Sequence, residues 1–329
     1  MKPIRFLQFA GIAACLLNAG LANATDAAPL WPSKSLSLIV PFGPGSSPDT
    51  MSRVVADEAS KTLGKPIVIL NKPGASGNIG TNDIAKAKPD GYTFGVSITG
   101  PLVNNPLIEK SLPFNPSKDL QPITLAVHQY NVLVVPKNSP FQSLQELIDA
   151  AKVKDAKLNF PSTGAGTVSH LAVELLLDRT GGQALHVPYP SSPAAVTSLL
   201  TGETNFAALP PVAVMPLIKD GRIKPLAVVS TKRLSFLPEV PTVAELGYPG
   251  IEGSGWIGFI APAGISPTTL EKLNRALTDA LNNEAVQTRL SSMSMEAAPT
   301  TPQAFASYMQ EEAARWTPII QRLDLAEKK

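Results

Sequence analysis

Residues 36–42 read LSLIVPF, a short apolar run stopped by a Gly/Pro/Ser cluster, and predict a buried strand. Asp49 then precedes a segment with apolar positions at Met51, Val54, Val55, Ala59 and Leu63, closed by Gly64. That spacing predicts an amphipathic helix with an acidic cap and a glycine stop. The cycle repeats with PIVIL at 66–70, a helix over 78–87 and YTFGVS at 92–97. Strand, helix, strand, helix, strand predicts an α/β fold with a parallel sheet.

A second series opens with QYNVLVVP at 129–136 and continues through a helix from Ser143, LNFPS at 158–162, a helix from Ser169 and ALHVPY at 184–189. A helix at 193–200, a strand at 205–209, a short helix at 211–219 and the strand IKPLAVVS at 223–230 follow. The chain then changes character: SFLPEVPTVAELGYPGIEGSG breaks its apolar stretches with Pro and Gly before WIGFIAP predicts another strand. Helices at 267–282 and 302–323 finish the pattern. This order suits two α/β domains, 25–128 with 250–329 and 129–249. The chain would leave the first around 125–135 and return around 230–256, two crossings that make a natural hinge.

Residues 1–24 combine Lys2 and Arg5 with an apolar run over 6–21 and the small-x-small site Ala22-Asn23-Ala24, the layout of a cleaved secretory signal peptide. The run is interrupted by Gln8, Asn18 and Gly20 and falls short of the roughly 20 apolar residues a bilayer span needs. Export to the periplasm is the expectation. Ile12-Ala13-Ala14-Cys15 also fits lipoprotein cleavage, with Cys15 as anchor, although the residues after it stay apolar.

Cys15 is the only cysteine, so a chain cleaved after Ala24 has neither a disulfide nor a thiolate metal ligand. The 28 Lys and Arg against 26 Asp and Glu fall to an even balance once Lys2 and Arg5 are removed. A neutral chain without a basic run argues against nucleic acid as a partner. The remaining length exceeds what one core usually holds, which again favours two domains. The expected state is a monomer.

Three Gly/Ser/Thr-rich loops link a strand to a helix: FGPGSSPD at 42–49, KPGASGNIG at 72–80 and PSTGAGTVSH at 161–170. In open α/β sheets ligands settle at the carboxyl ends of the strands, where such loops lie. Small residues admit a ligand to the backbone, and helix starts present unpaired N–H groups at a positive dipole end. Together they suit a carboxylate or other small anion without a cationic side chain. Turn conformation alone also favours Gly, Ser and Asp. Three such loops divided between two domains favour the ligand. Asp49 is expected to orient its loop by accepting backbone N–H bonds, not to touch ligand.

WPSKSLSLIVPFGPGSSPDTMSRVVADEASKTLGKPIVILNKPGASGNIGTNDIAKAKPDGYTFGVS resembles the start of the Bug, or TctC-like, extracytoplasmic solute-binding proteins. LPFNPSKDLQPITL, KLNFPSTGAGTVSHLAVELL, HVPYPSSPAAVTSLLTGE, IKDGRIKPLAVVSTKRLSFLPEVPTVAELGYPG and WIGFIAPAG extend the resemblance, in order, over the chain beyond residue 24. The resemblance implies the type II periplasmic-binding-protein fold, with a ligand cleft between the two α/β domains. It also implies a receptor that brings mono-, di- or tricarboxylates to the membrane subunits of a tripartite tricarboxylate transporter, without a cofactor. The site residues it implies are Phe42, Pro44, Gly45, Ser46, Ser47 and Asp49, then Asn78 and Thr99. From the other domain it implies Ser162, Thr163, Gly164, Ala165, Thr167, Ser169 and His170.

Three positions depart from the family pattern. Pro190-Ser191 stands where a Lys-Gly pair is frequent, Leu209-Pro210 where an Asp-Asn is common, and Ile98 where a small hydroxyl residue is common. Without that acid a buried ammonium loses its partner. The expected ligand is therefore an aromatic or apolar-bodied carboxylate, or a dicarboxylate, more than an amino acid.

Enzyme readings find little support. His128, His170 and His186 are widely spaced, and no H-x-x-x-H, G-x-S-x-G elbow or Gly-Lys-Ser/Thr loop is present. Gly74, Gly77 and Gly80 follow G-x-x-G-x-x-G, not the dinucleotide spacing. Ser46, Ser47 or Ser169 could act as a nucleophile only beside a base, and His170 is the one candidate. His170 suits ligand contact, capping or packing equally, while His128 and His186 suit core or edge positions. Tyr189 suits a cleft wall or a packed position equally, and Trp256 suits a core strand. The alternative functions are a ligand-dependent accessory of a membrane sensor kinase and, behind it, an enzyme on the same fold.

Overall fold

The computed structural model describes residues 31–251 and 254–325. β1 (Leu36–Val40) leads to α1 (Ser47–Leu63), β2 (Ile67–Asn71), α2 (Asn78–Ala85) and β3 (Thr93–Ile98). A wide helical turn over Gly100–Asn104 runs into α3 (Asn105–Ile108), followed by α4 (Pro116–Asp119) and the long strand β4 (Leu120–Pro136). Next come α5 (Leu144–Ala151), β5 (Asn159–Ser162), α6 (Val168–Thr180), β6 (Leu185–Pro188), α7 (Ser192–Thr201), β7 (Ala207–Leu209), α8 (Pro211–Lys219) and β8 (Ile223–Val229). β9 (Ser254–Pro262), α9 (Pro267–Asn282), α10 (Glu284–Ser292), β10 (Glu296–Ala297) and α11 (Pro302–Arg322) close the order.

The elements form where the apolar periodicity places them. α1 buries Met51, Val54, Val55 and Ala59 along one face and stops at Gly64, whose φ of 65° a side chain would resist. Its start differs from expectation. Ser46 is the cap and Pro48 occupies the first turn, so Asp49 lies inside the helix. β1 is buried along nearly its whole length, whereas β2 at the sheet edge alternates and leaves Val68 and Leu70 exposed.

The main sheet runs β2-β1-β3-β9-β4-β10. β1 pairs in parallel with β2 and β3, as the repeating strand-helix pattern predicts. β9 then inserts antiparallel to both β3 and β4. β4 is the element that joins the two halves of the molecule. Leu120–Tyr130 pair with β9, and Asn131–Pro136 pair antiparallel with β8, with β7 beside Val132–Val134. The sequence pattern predicts only its second part, from 129, because Pro122 and the polar His128 mask the first. Register shifts flanking Thr124 absorb the donor that Pro122 lacks. β5 and β6 form a separate parallel pair.

Each half has its own core. Leu36, Leu38, Phe94, Ile257 and Phe259 meet Leu273 and Leu277 of α9 in one. Leu133, Phe160 and Phe206 meet Leu147 of α5 and Leu176 of α6 in the other. Among the described residues no helix is long and apolar enough to cross a membrane. The proposed signal sequence and Cys15 lie outside the described residues.

Candidate ligand cleft

The Gly/Ser-rich loops follow β1, β2 and β5 and start α1, α2 and α6. Glycine lets the opposing loops come into contact. A Cβ on Gly164 would stand 2.7 Å from Ser76 Cα, and one on Gly43 would stand 3.3 Å from Ser191 Cβ. Asn104, just past β3, donates from Nδ2 to the Gly166 carbonyl at 2.7 Å. The cleft is thus closed, and it encloses two chambers that share Thr163.

The inner chamber, about 30 Å³, lies between Ile98 and Thr99 at the end of β3, Gln129 and Asn131 of β4, Gly255 and Trp256 of β9, and the start of α6. Pro210 completes it. The outer chamber, about 270 Å³, is walled by Phe42, the 74–77 turn, Gly164 and Pro188-Tyr189-Pro190. None of the described residues lining either chamber is Lys, Arg, His, Asp or Glu. A larger hollow of about 470 Å³ lies between His128, Tyr130 and residues of the 232–238 and 291–296 segments, but none of the three loops reaches it.

Bonds within the 162–170 loop define which of its groups are free. Thr167 Oγ1 donates to the Gly164 carbonyl at 2.6 Å. That sets a direction through the other two hydroxyls: Ser169 donates to Thr167 at 3.0 Å and Thr163 donates to Ser169 at 3.0 Å. All three hydroxyl protons are therefore engaged inside the loop. At the start of α6 the N–H groups of Val168 and Ser169, residues that line the inner chamber, have no carbonyl a turn earlier to receive them. The loop can offer an anion backbone N–H groups at a positive dipole end.

The sequence-predicted residues divide between the chambers and their supports. Thr99, Thr167 and Ser169 line the inner chamber, Phe42 and Gly164 the outer, and Thr163 both. Pro44, Gly45, Ser46, Ser47, Asp49, Asn78, Ser162, Ala165 and His170 line neither. Asn78 donates from Nδ2 to Glu109 Oε1 at 2.8 Å and accepts from Asn105 Nδ2 at 2.7 Å. Asp49, 2 % exposed, accepts from the Gly45 N–H at 2.9 Å, from Asn71 Nδ2 at 2.9 Å and from Arg53. Burial pushes its carboxyl upward, but the bonds from Arg53, Gly45 and Asn71, with the charge of Arg53, hold it below its ordinary value.

Two of the three dispersed histidines meet behind the loop. The His170 and His186 rings stack with centroids 3.9 Å apart. His170 Nδ1 accepts from the Gly166 N–H at 3.2 Å, and its Nε2 faces Glu174 Oε1 at 3.4 Å. His186 Nε2 stands 2.6 Å from Ser162 Oγ, which also accepts from the Gly164 N–H at 2.9 Å. That distance suits a nucleophile and base. Ser162 is nonetheless wholly buried and lines neither chamber, so the pair braces the loop. Burial, and then the neighbouring His170, push the His186 pKa down to about 3, keeping its ring neutral.

Residues 51–325 match the tripartite tricarboxylate transporter family receptor, TctC. The chain belongs to this family. BugT of Bordetella pertussis is 34 % identical over 321 residues, covering 97 % of this chain and 98 % of BugT. An R. palustris protein with adipate superposes with a TM-score of 0.87 at 31 % identity, covering 90 % of this chain and 99 % of that one. MatC from Rhodopseudomonas palustris with bound malate gives a TM-score of 0.84 at 30 % identity, covering 88 % and 99 %. The expected α/β type II periplasmic-binding-protein fold, with its cleft between two lobes, is the fold of this TctC-family receptor.

Some lining residues are not among those the resemblance implies. Gln129 and Asn131 are hidden in an apolar strand pattern, and Ser76 lies in the 72–80 loop without having been singled out. Trp256, expected as core, is wholly buried and donates to Glu312 Oε2 at 3.1 Å, yet it also forms part of the inner chamber. Of the departures from the family pattern, Pro190 lines the outer chamber and Ile98 and Pro210 the inner one. Leu209 instead packs in the core beside Val132 and Val134.

Proposed function

We propose that this chain is a periplasmic receptor that captures a small organic carboxylate in the cleft and delivers it to the membrane subunits of a tripartite tricarboxylate-type transporter. The observation that carries the reading is a closed cleft with uncharged described walls, into which the first turn of α6 points. An anion there is matched by fixed N–H dipoles. An unpaired side-chain cation, by contrast, would stand buried in the empty cleft at high cost. The neighbours with adipate and with malate support the carboxylate class. Phe42, Pro188, Tyr189 and Pro190 give the outer chamber an apolar and aromatic wall, which favours an aromatic or apolar-bodied acid. Pro210 in the inner chamber offers nothing to an ammonium.

In this reading 25–128 with 250–329 form one lobe and 129–249 the other. They hinge where β4 passes from β9 to β8 and where the chain returns into β9. Contacts such as Asn104 to Gly166 form only on closure, so a ligand touching both lobes shifts the population toward the closed state. Residues 1–24 act as the cleaved export signal.

A thermal-shift screen of the purified protein against aliphatic and aromatic mono-, di- and tricarboxylates tests this. A ligand at about 100 times its dissociation constant adds about 2.7 kcal/mol of stability. At least one carboxylate should raise the melting temperature. Stabilisation by neutral sugars or cations alone would refute the anion reading.

A further inference from the structure

We propose that Gln129, acting with Thr99, is a specificity-determining residue that makes the inner chamber select carboxylates bearing a hydroxyl group. The proposal rests on the carboxylate reading above and deepens it.

The polar groups of the inner chamber are not equally satisfied. Asn131 donates from Nδ2 to the Ala208 carbonyl at 3.2 Å, and the hydroxyls of Thr163, Thr167 and Ser169 spend their protons on one another and on Gly164. Gln129 and Thr99 are 8 % and 1 % exposed, and both keep a buried polar atom, Gln129 Oε1 and Thr99 Oγ1, without a hydrogen-bond partner. Buried polar groups normally find partners, so these two define what the chamber lacks.

Their chemistry narrows the missing group. Gln129 Oε1 only accepts, and the Thr99 hydroxyl donates and accepts. A ligand O–H satisfies both, donating to Gln129 and accepting from Thr99. A carboxylate oxygen has no proton for Gln129, and an ammonium would enter a chamber whose described walls hold no negative charge. The volume, about 30 Å³, suits one small functional group. Gly255, paired with Gln129 across β4 and β9, lines the same corner, where a Cβ would touch Gln129 Cγ at 3.4 Å. With the carboxylate on the α6 N–H groups, the apolar body lies in the outer chamber and the hydroxyl between Gln129 and Thr99.

The test is calorimetric titration with paired acids that differ by one hydroxyl: malate and succinate, 2-hydroxyglutarate and glutarate, 3-hydroxybutyrate and butyrate, 4-hydroxybenzoate and benzoate. In the tightest-binding pair the hydroxylated member should bind at least about tenfold more tightly, because its deoxy partner leaves Gln129 unpaired. Gln129→Leu and, separately, Thr99→Val should bring the two members to within about threefold while the deoxy acid still binds, which also shows that the variants fold. Equal binding of the pair by the unaltered protein, as when a water satisfies Gln129, would overturn the proposal. So would a preference that survives both substitutions. Failure of every acid to bind would instead overturn the carboxylate reading on which it rests.

Discussion

Asp49 shows how much of the cleft depends on groups that line neither chamber. Its buried carboxylate ties Gly45, Asn71 and Arg53 together. Asp49→Ala should therefore cost about 1–3 kcal/mol, through donors left unpaired, read as a lower urea midpoint with unchanged slope. Orientation of the loop through backbone N–H was legible from an acid beside Gly and Ser. Its place in the third helical position was not, because Ser46 and Ser47 are equally good cap residues. His186 could not be found from sequence at all, since its partners Ser162 and His170 lie 24 and 16 positions away and only the fold joins them. Its pKa is depressed from 6.5 to about 3, so the unfolded chain binds the proton more readily than the native one. The stability this provides is complete above pH 6.5 and is lost as pH falls towards about 3. Urea midpoints of the wild type and His186→Gln at about pH 7.5 and about pH 4.5 check this, with the variant losing less on acidification. Equal losses would show that His186 is not the group responsible.

At the scale of elements, closure depends on glycines at loop contacts. Gly164 has φ 124°, and its missing side chain makes room for the Ser76 backbone. Gly164→Ala should weaken ligand binding at least about tenfold, more than it lowers the melting temperature would suggest, because backbone cannot yield as a flexible side chain can. A variant with wild-type affinity would show that the loops need not meet. The strand-helix order was readable because apolar runs and glycine stops carry it. The first part of β4 was hidden by Pro122, α10 by its short polar sequence, and the turn over Gly100–Asn104 by Pro101. β9 was readable as a strand, but its antiparallel place between β3 and β4 is set by tertiary pairing, which no local pattern encodes.

The whole molecule is a TctC-family receptor whose two halves share one strand and enclose a cleft with no charged group among its described lining residues. The three loops could be read from sequence because strand-to-helix junctions rich in glycine mark ligand ends of α/β sheets. The floor contributed by Gln129 and Trp256 could not, because an inward position on a central strand looks the same whether it faces core or cavity. The central claim is that fixed N–H dipoles recognise a carboxylate charge. It is tested most directly by calorimetric titration of the purified protein with the acid that stabilises it most and with the matching primary amide, which keeps the shape and removes the charge. The acid should bind saturably at one site, at least about tenfold more tightly than the amide. Equal binding of the amide, or no binding of any carboxylate, would contradict the account.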